Sequence, residues 1–143
     1  MKFSIESKQG HARAGSLTIN NKTIDTPAFM TIGTYGSVKT MDTYDLKKCN
    51  VEIILSNAFH LMLRPGTDLI EKFGGLHQLM NWDGLILTDS GGYQVFSLGK
   101  DVKISDKGAE FRSPFNGDKV FMSPEISIDV QTKINTDIMM IFD

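Results

Sequence analysis

Four short apolar runs, each closing on polar residues, alternate with stretches of helical periodicity, and this alternation constrains the fold more than any other feature. The first run is Ala28-Phe29-Met30-Thr31-Ile32, ending at Gly33. The second is Val51-Glu52-Ile53-Ile54-Leu55, ending at Ser56-Asn57, and the third is Leu85-Ile86-Leu87-Thr88, which runs into Asp89. The fourth is Asp137-Ile138-Met139-Met140-Ile141-Phe142, followed by Asp143. Helix signals fill the gaps. Asp42 is a good N-cap with an acid, Asp45, three residues on, and Asn50 suits a left-handed stop. Residues 66–73 place Leu69, Ile70 and Phe73 on one face before Gly74, and a short helical turn is expected around Leu76, Leu79 and Met80. Ser123 and Pro124 open a helix whose stripe is Ile126, Val130 and Ile134. Apolar strands separated by helices predict a parallel sheet in an α/β fold. A closed (β/α)8 barrel takes about 250 residues, so the 143 residues here hold about half of one.

Two stretches break the rhythm. Residues 2–6 and 10–19 alternate as strands, with a turn at Asn20-Asn21-Lys22, so the chain opens with a small antiparallel piece. Residues 101–122 alternate again around Asn116-Gly117, a hairpin signal, and are expected to form an antiparallel insertion.

Composition excludes several function classes. A net charge of −2 counts against a general nucleic-acid-binding surface within this segment. The single cysteine, Cys49, cannot form an internal disulfide and reads as a small half-buried hydrophobe in a reducing compartment. No Cys/His cluster has metal-ligand spacing. The N-terminus lacks a signal-peptide core, and no apolar run approaches the ~18 residues of a membrane span, so a cytoplasmic protein without membrane contact is expected.

In parallel α/β folds the carboxyl ends of the strands share one face, where active sites form. That rule gathers Gly33, Asn57, Asp89, Ser90 and Asp143 around one pocket. Ser90-Gly91-Gly92 after Asp89 would let a ligand approach the backbone and offer it amide N–H groups, and Tyr93 could stack on a planar ring. Tight turns also use glycine routinely, so the double glycine gains weight only from its neighbours. Asp143 could cap a following helix or accept two hydrogen bonds from a purine edge. His60 reads as a packed histidine, His77 and His11 as surface residues, and Met139-Met140 as core.

Taken together the motifs resemble a known family. Thr26-Pro27-Ala28-Phe29-Met30, Ser56-Asn57-Ala58-Phe59-His60-Leu61, Leu63-Arg64-Pro65-Gly66, Phe73-Gly74-Gly75-Leu76-His77, Met80-Asn81-Trp82-Asp83-Gly84, the stretch from Leu87-Thr88-Asp89 through Ser97-Leu98, and Ile141-Phe142-Asp143 are similar to the bacterial tRNA-guanine transglycosylases, also called queuine tRNA-ribosyltransferases. The resemblance covers essentially the whole chain. It implies that residues 1–143 are the N-terminal part of a catalytic TIM-barrel domain, without the C-terminal half and the zinc-binding part. It implies exchange of guanine at the wobble position of tRNA for 7-aminomethyl-7-deazaguanine, in queuosine biosynthesis, through a covalent enzyme–tRNA intermediate. Asp89 would be the general acid/base. Ser90, Gly91, Gly92 and Tyr93 would bind the base, Asp143 would read its Watson–Crick edge, and Asn57 would belong to the pocket wall. The nucleophilic aspartate and the ligands of a structural zinc have no counterpart here, and the family is typically homodimeric. The segment alone is therefore expected to be inactive. A non-catalytic family subunit and a purine-binding half-barrel are the competing readings.

Overall fold

A computed structural model describes residues 1–142. The chain opens as an antiparallel sheet of β1 (Lys2–Gln9), β2 (Ala12–Ile19) and β3 (Lys22–Thr26). Asn20 and Asn21 both have positive φ (48° and 64°), the conformation that a two-residue hairpin turn requires.

The main sheet is parallel and contains β4 (Thr31–Ile32), β5 (Ile53–Ser56), β6 (Leu85–Thr88) and β10 (Ile138–Met139), side by side in chain order. Between them lie α1 (Thr43–Lys48), α2 (Ala58–Leu63), α3 (Thr67–Lys72), α4 (Leu76–Met80), α5 (Gly92–Leu98) and α6 (Pro124–Ile134). The second antiparallel sheet, β7 (Lys100–Ser105), β8 (Gly108–Arg112) and β9 (Lys119–Met122), sits between α5 and α6 in sequence, where the insertion was expected.

Strand alternation sorts the core. Ile54 and Ile86 point to the helices and pack with Leu46, Leu61, Ile70, Leu76, Val130 and Ile134. Ile53, Leu85 and Leu87 point the other way and pack on Ile19 and Ile24 of the opening sheet. A third cluster, Phe59, Val95, Phe111 and Met122, fastens the insertion to α2 and α5. Each fully buried Ile or Leu contributes roughly 1.5–3 kcal/mol. The helices that cover the sheet gather on one face, whereas a doubly wound fold places them on both.

The helix caps follow the sequence. Asp42 accepts the N–H of Asp45 at 2.8 Å, and Asn50 has φ of 53°. Ser123 Oγ accepts the N–H of Ile126 at 3.2 Å, ahead of Pro124.

Other expectations need correction. The first and fourth strands pair over only two residues each, and among the described residues neither edge of the four-stranded sheet has a neighbour on its outer side. For the same reason Met139 and Met140 are not core but 45% exposed each. Leu69 and Phe73 are also exposed, leaving Ile70 as the buried anchor of α3. Cys49 is exposed at the C-cap of α1 rather than half-buried. His77 is not a surface residue, because its ring bridges the Trp82 carbonyl (2.9 Å) and the Asp137 carboxylate (2.8 Å). Helices α2 and α5 were not anticipated. His11 is exposed as expected.

Candidate active site at the carboxyl ends of the parallel strands

The site is built by the ends of β5 and β6. Thr88 directs its hydroxyl toward α6, bonding Gln131 at 3.0 Å. The next residue, Asp89, therefore turns to the opposite face of the sheet. Its backbone N–H donates to the Ser56 carbonyl at 3.2 Å, one step beyond the β5–β6 ladder.

Three donors converge on the Asp89 carboxylate. The Asn57 amide donates to Oδ2 at 2.5 Å, and the Gln94 amide donates to the same oxygen at 3.0 Å. The backbone N–H of Ala58 donates to Oδ1 at 2.9 Å. Asn57 occupies the N-cap of α2 but makes no capping bond with its own side chain. Asp89 takes that part from the neighbouring strand, satisfying one N–H that a helix start leaves open. A carboxylate offers about four acceptor positions, so three donors leave room for a ligand proton.

The turn after Asp89 is specified by glycine. Gly91 has φ of 84°, and a Cβ there would lie 3.2 Å from both the backbone nitrogen and the Cβ of Phe59. Ser90 is buried; its Oγ accepts the Gly92 N–H at 3.2 Å and its carbonyl accepts the Ser127 hydroxyl at 2.6 Å. Gly92 then starts α5, which leaves the Tyr93 ring 67% exposed. Asp89, Ser90, Tyr93, Gln94, Met140 and Ile141 line a cavity of ≈ 180 Å³. A larger, mainly apolar groove of ≈ 350 Å³ lies between α5 and the insertion, with Val95, Phe96, Val102 and Ile104 in its walls. Asp89 is not among those walls; it lines the smaller cavity.

His60 lies one turn along α2 from Asn57. Its ring meets Tyr35 edge-on at 5.0 Å and Phe59 at 5.5 Å, and Nδ1 is buried without a hydrogen-bond partner among the described residues. Burial holds its pKa below the ordinary 6.5, while the nearby Asp89 charge opposes the shift. The neutral ring is therefore favoured.

The structure thus brings Asn57, Asp89, Ser90 and Tyr93 together and uses Gly91 and Gly92 to turn the chain between them. Asp143 lies outside the described residues. The sequence reading gave no role to Gln94 or to the Ala58 N–H. Gln94 was visible only as part of a motif string, and a backbone donor has no residue-type signal at all. Among the described residues no group of three or more His, Cys, Asp or Glu side chains could hold a metal ion. No helix among these residues is long and apolar enough to cross a membrane.

With an acid held beside an aromatic ring at a parallel strand end, the comparison with known proteins is decisive. A sequence profile described as Queuine tRNA-ribosyltransferase matches residues 7–143. The chain belongs to that family. Relatives named Queuine tRNA-ribosyltransferase from Herminiimonas arsenicoxydans and Hydrogenovibrio crunogenus are 55% and 56% identical over all 143 residues. A relative of the same name from Neisseria meningitidis is 52% identical over the same span. The chain covers 38%, 39% and 38% of those three proteins, respectively. The segment shared with the queuine tRNA-ribosyltransferases therefore includes the whole Asp89 cavity wall described above.

Proposed function

We propose that this chain supplies the base-binding half of a tRNA-guanine transglycosylase, which exchanges guanine at the anticodon wobble position for 7-aminomethyl-7-deazaguanine. The observation that carries the reading is the Asp89 carboxylate, positioned by Asn57, Ala58 and Gln94 on a cavity that Tyr93 also lines. Family membership supports the reaction class. The parallel strands in chain order, with their covering helices on one face, support a half (β/α)8 barrel completed by further chain.

In this reading an aspartate outside these residues attacks ribose C1′ and displaces guanine, holding the tRNA covalently. Asp89 gives a proton to the departing base and later takes one from the incoming base. Two carboxylates dividing nucleophile and acid/base roles follow the logic of retaining glycoside hydrolysis. Tyr93 stacks on the base, Ser90 and the Gly91-Gly92 turn form the floor, and Asp143 reads the Watson–Crick edge. Asn57 acts first as a partner of Asp89 and through it as pocket wall. The zinc site, the tRNA grip and a homodimer contact belong to parts of the family's sequence beyond these residues. The reaction would take place in the cytoplasm.

The test is exchange of labelled guanine into tRNA by the complete protein and by its Asp89→Asn variant. General acid/base catalysis contributes about 10²–10⁴-fold, so the variant should lose at least two orders of magnitude. Wild-type exchange by Asp89→Asn would overturn the role, and no exchange by the complete wild-type protein would favour the non-catalytic subunit.

A further inference from the structure

Helix α6 carries two polar side chains, Ser127 and Gln131, one turn apart and each 0% exposed. Sequence periodicity pointed only to their apolar neighbours Ile126, Val130 and Ile134. Buried polar groups are costly unless satisfied, and these are satisfied in a specific direction. The Gln131 amide faces Met140 as one peptide faces another: Oε1 accepts the Met140 N–H at 2.9 Å, and Nε2 donates to the Met140 carbonyl at 2.9 Å. The β6–β10 ladder ends at Met139 and Thr88, because the chain after β6 turns away through Ser90 and Gly91. Gln131 therefore supplies a side-chain amide where the ladder runs out.

The same amide reaches the other wall of the cavity. Nε2 also donates to Ser127 Oγ at 3.2 Å, and Ser127 Oγ donates to the Ser90 carbonyl at 2.6 Å. Thr88 donates to Gln131 Oε1 at 3.0 Å and is bonded in turn to Thr136 at 3.0 Å. The side-chain hydroxyl and amide protons of Thr88, Ser127 and Gln131 each have an acceptor, so these bonds reinforce one another. Its two outputs are the backbone of Ser90 and the backbone of Met140. Both residues line the cavity that holds Asp89.

We propose that Ser127 and Gln131 are positioning residues for the base: through one buried network they fix the spacing between the Ser90 wall and the Met140 wall. The proposal rests on the transglycosylase reading above and deepens it. Neither side chain touches the base; each acts through backbone that does. Their effect falls on ground-state fit, because a pocket whose two walls separate loses contact with a planar base before it loses its acid.

The experiment uses the complete protein and three variants, Gln131→Met, Ser127→Ala and Val130→Ala, with tRNA exchange kinetics and thermal melts. Misplacement of a binding wall by about 1 Å can cost up to ~10²-fold. KM for guanine should therefore rise roughly tenfold in Gln131→Met and several-fold in Ser127→Ala, with kcat changed less than KM. Val130→Ala empties core on the same helix and touches neither wall. It should lower Tm without moving KM. Should Gln131→Met fail to fold, Ser127→Ala, which removes one hydroxyl with its bonds to Ser90 and Gln131 and leaves the Gln131–Met140 pair in place, carries the test. KM within twofold of wild type in the folded polar variants, with Tm lowered as in Val130→Ala, would overturn the proposal and leave a merely structural network. Absence of exchange in the wild-type protein would instead overturn the reading beneath it.

Discussion

Two aspartates stand at opposite ends of the parallel sheet, and each accepts three hydrogen bonds. Asp137 precedes β10, at the amino end. Its Oδ2 accepts the Ile86 N–H at 2.9 Å and His77 Nε2 at 2.8 Å, and its Oδ1 accepts the Asn20 amide at 3.1 Å. Its side chain is 6% exposed. Asp89 follows β6, at the carboxyl end, and lines a cavity. The number of bonds is the same, so number does not separate the acid that ties the fold together from the one proposed to act on a base. The donors do. Asp137 is held by a strand peptide, by a ring pinned at both nitrogens and by one side-chain amide, that of Asn20, and it ties the opening hairpin, α4 and β10 into one unit. Asp89 is held by one peptide N–H and two side-chain amides, which can rotate away when a ligand proton arrives.

Substitutions at the two positions should separate along that line. The largest effect is on catalysis: Asp89→Asn in the complete protein should lower exchange by about 10²–10⁴-fold, with a melt close to wild type because an amide oxygen can still accept from Ala58. Asp137→Ala should do the reverse. It strands a buried strand N–H and leaves the mostly buried His77 without its carboxylate, a loss on the order of 3 kcal/mol. Denaturant unfolding measures it, while kcat of the folded protein should stay within a few-fold of wild type. A large kcat loss in Asp137→Ala with unchanged stability would erase the distinction between the two ends.

Much of this contrast was legible in the sequence, and some was not. The β6 run predicted where Asp89 would stand, because four consecutive apolar or β-branched residues ending in an acid have one natural reading in a parallel sheet. Ser123-Pro124 and Asp42 marked their helices by cap chemistry that is local and therefore readable. The length of β10 was not readable, since a strand's pairing depends on a neighbour that its own residues do not encode. His77 was misplaced for the same reason: its partner is 60 residues away. Helices α2 and α5 are six and seven residues long, too short for a periodic stripe to show. Of the site, the residue types of Asn57, Asp89 and Tyr93 were visible. The bonds from Gln94 and Ala58 that hold Asp89 needed coordinates.

The open edges sharpen the contrast in another way. Phe29 and Ile141 are 82% and 81% exposed, and Ile32, Met139 and Met140 are 58%, 45% and 45% exposed, all on or beside β4 and β10. Unpaired edges with apolar side chains invite association. The 143-residue chain by itself should elute from size exclusion as oligomers and show no exchange. A monodisperse monomer would mean that these edges are covered in some way the fold described here lacks.

Smaller effects follow from the groups around Asp89. His60 is depressed by burial and supported by the Asp89 charge. Asp89→Asn should therefore move the His60 titration midpoint further down, measured by imidazole proton shifts. An unchanged midpoint would place the two residues out of electrostatic contact. The stability sign follows from linkage: a histidine whose folded pKa lies below its unfolded value binds fewer protons when folded. Its contribution is complete above pH 6.5 and is lost as pH falls toward the folded value.

The smallest effect is on the surface at the amino end of the sheet. Lys47 bonds Asp83 at 3.0 Å, with side chains 52% and 76% exposed, and this bond holds the Asp83 pKa below its ordinary 3.8. A depressed carboxyl pKa contributes stability that is present above the unfolded value and lost as pH falls through the folded one. The window therefore lies in acid, well below the His60 window. Solvent screens a pair this exposed, so Asp83→Asn should cost under about 1 kcal/mol at neutral pH, and added salt should remove most of the difference. A salt-independent loss as large as that of Asp137→Ala would mean that the amino-end clamp extends outward through Lys47 to α1, rather than ending at His77.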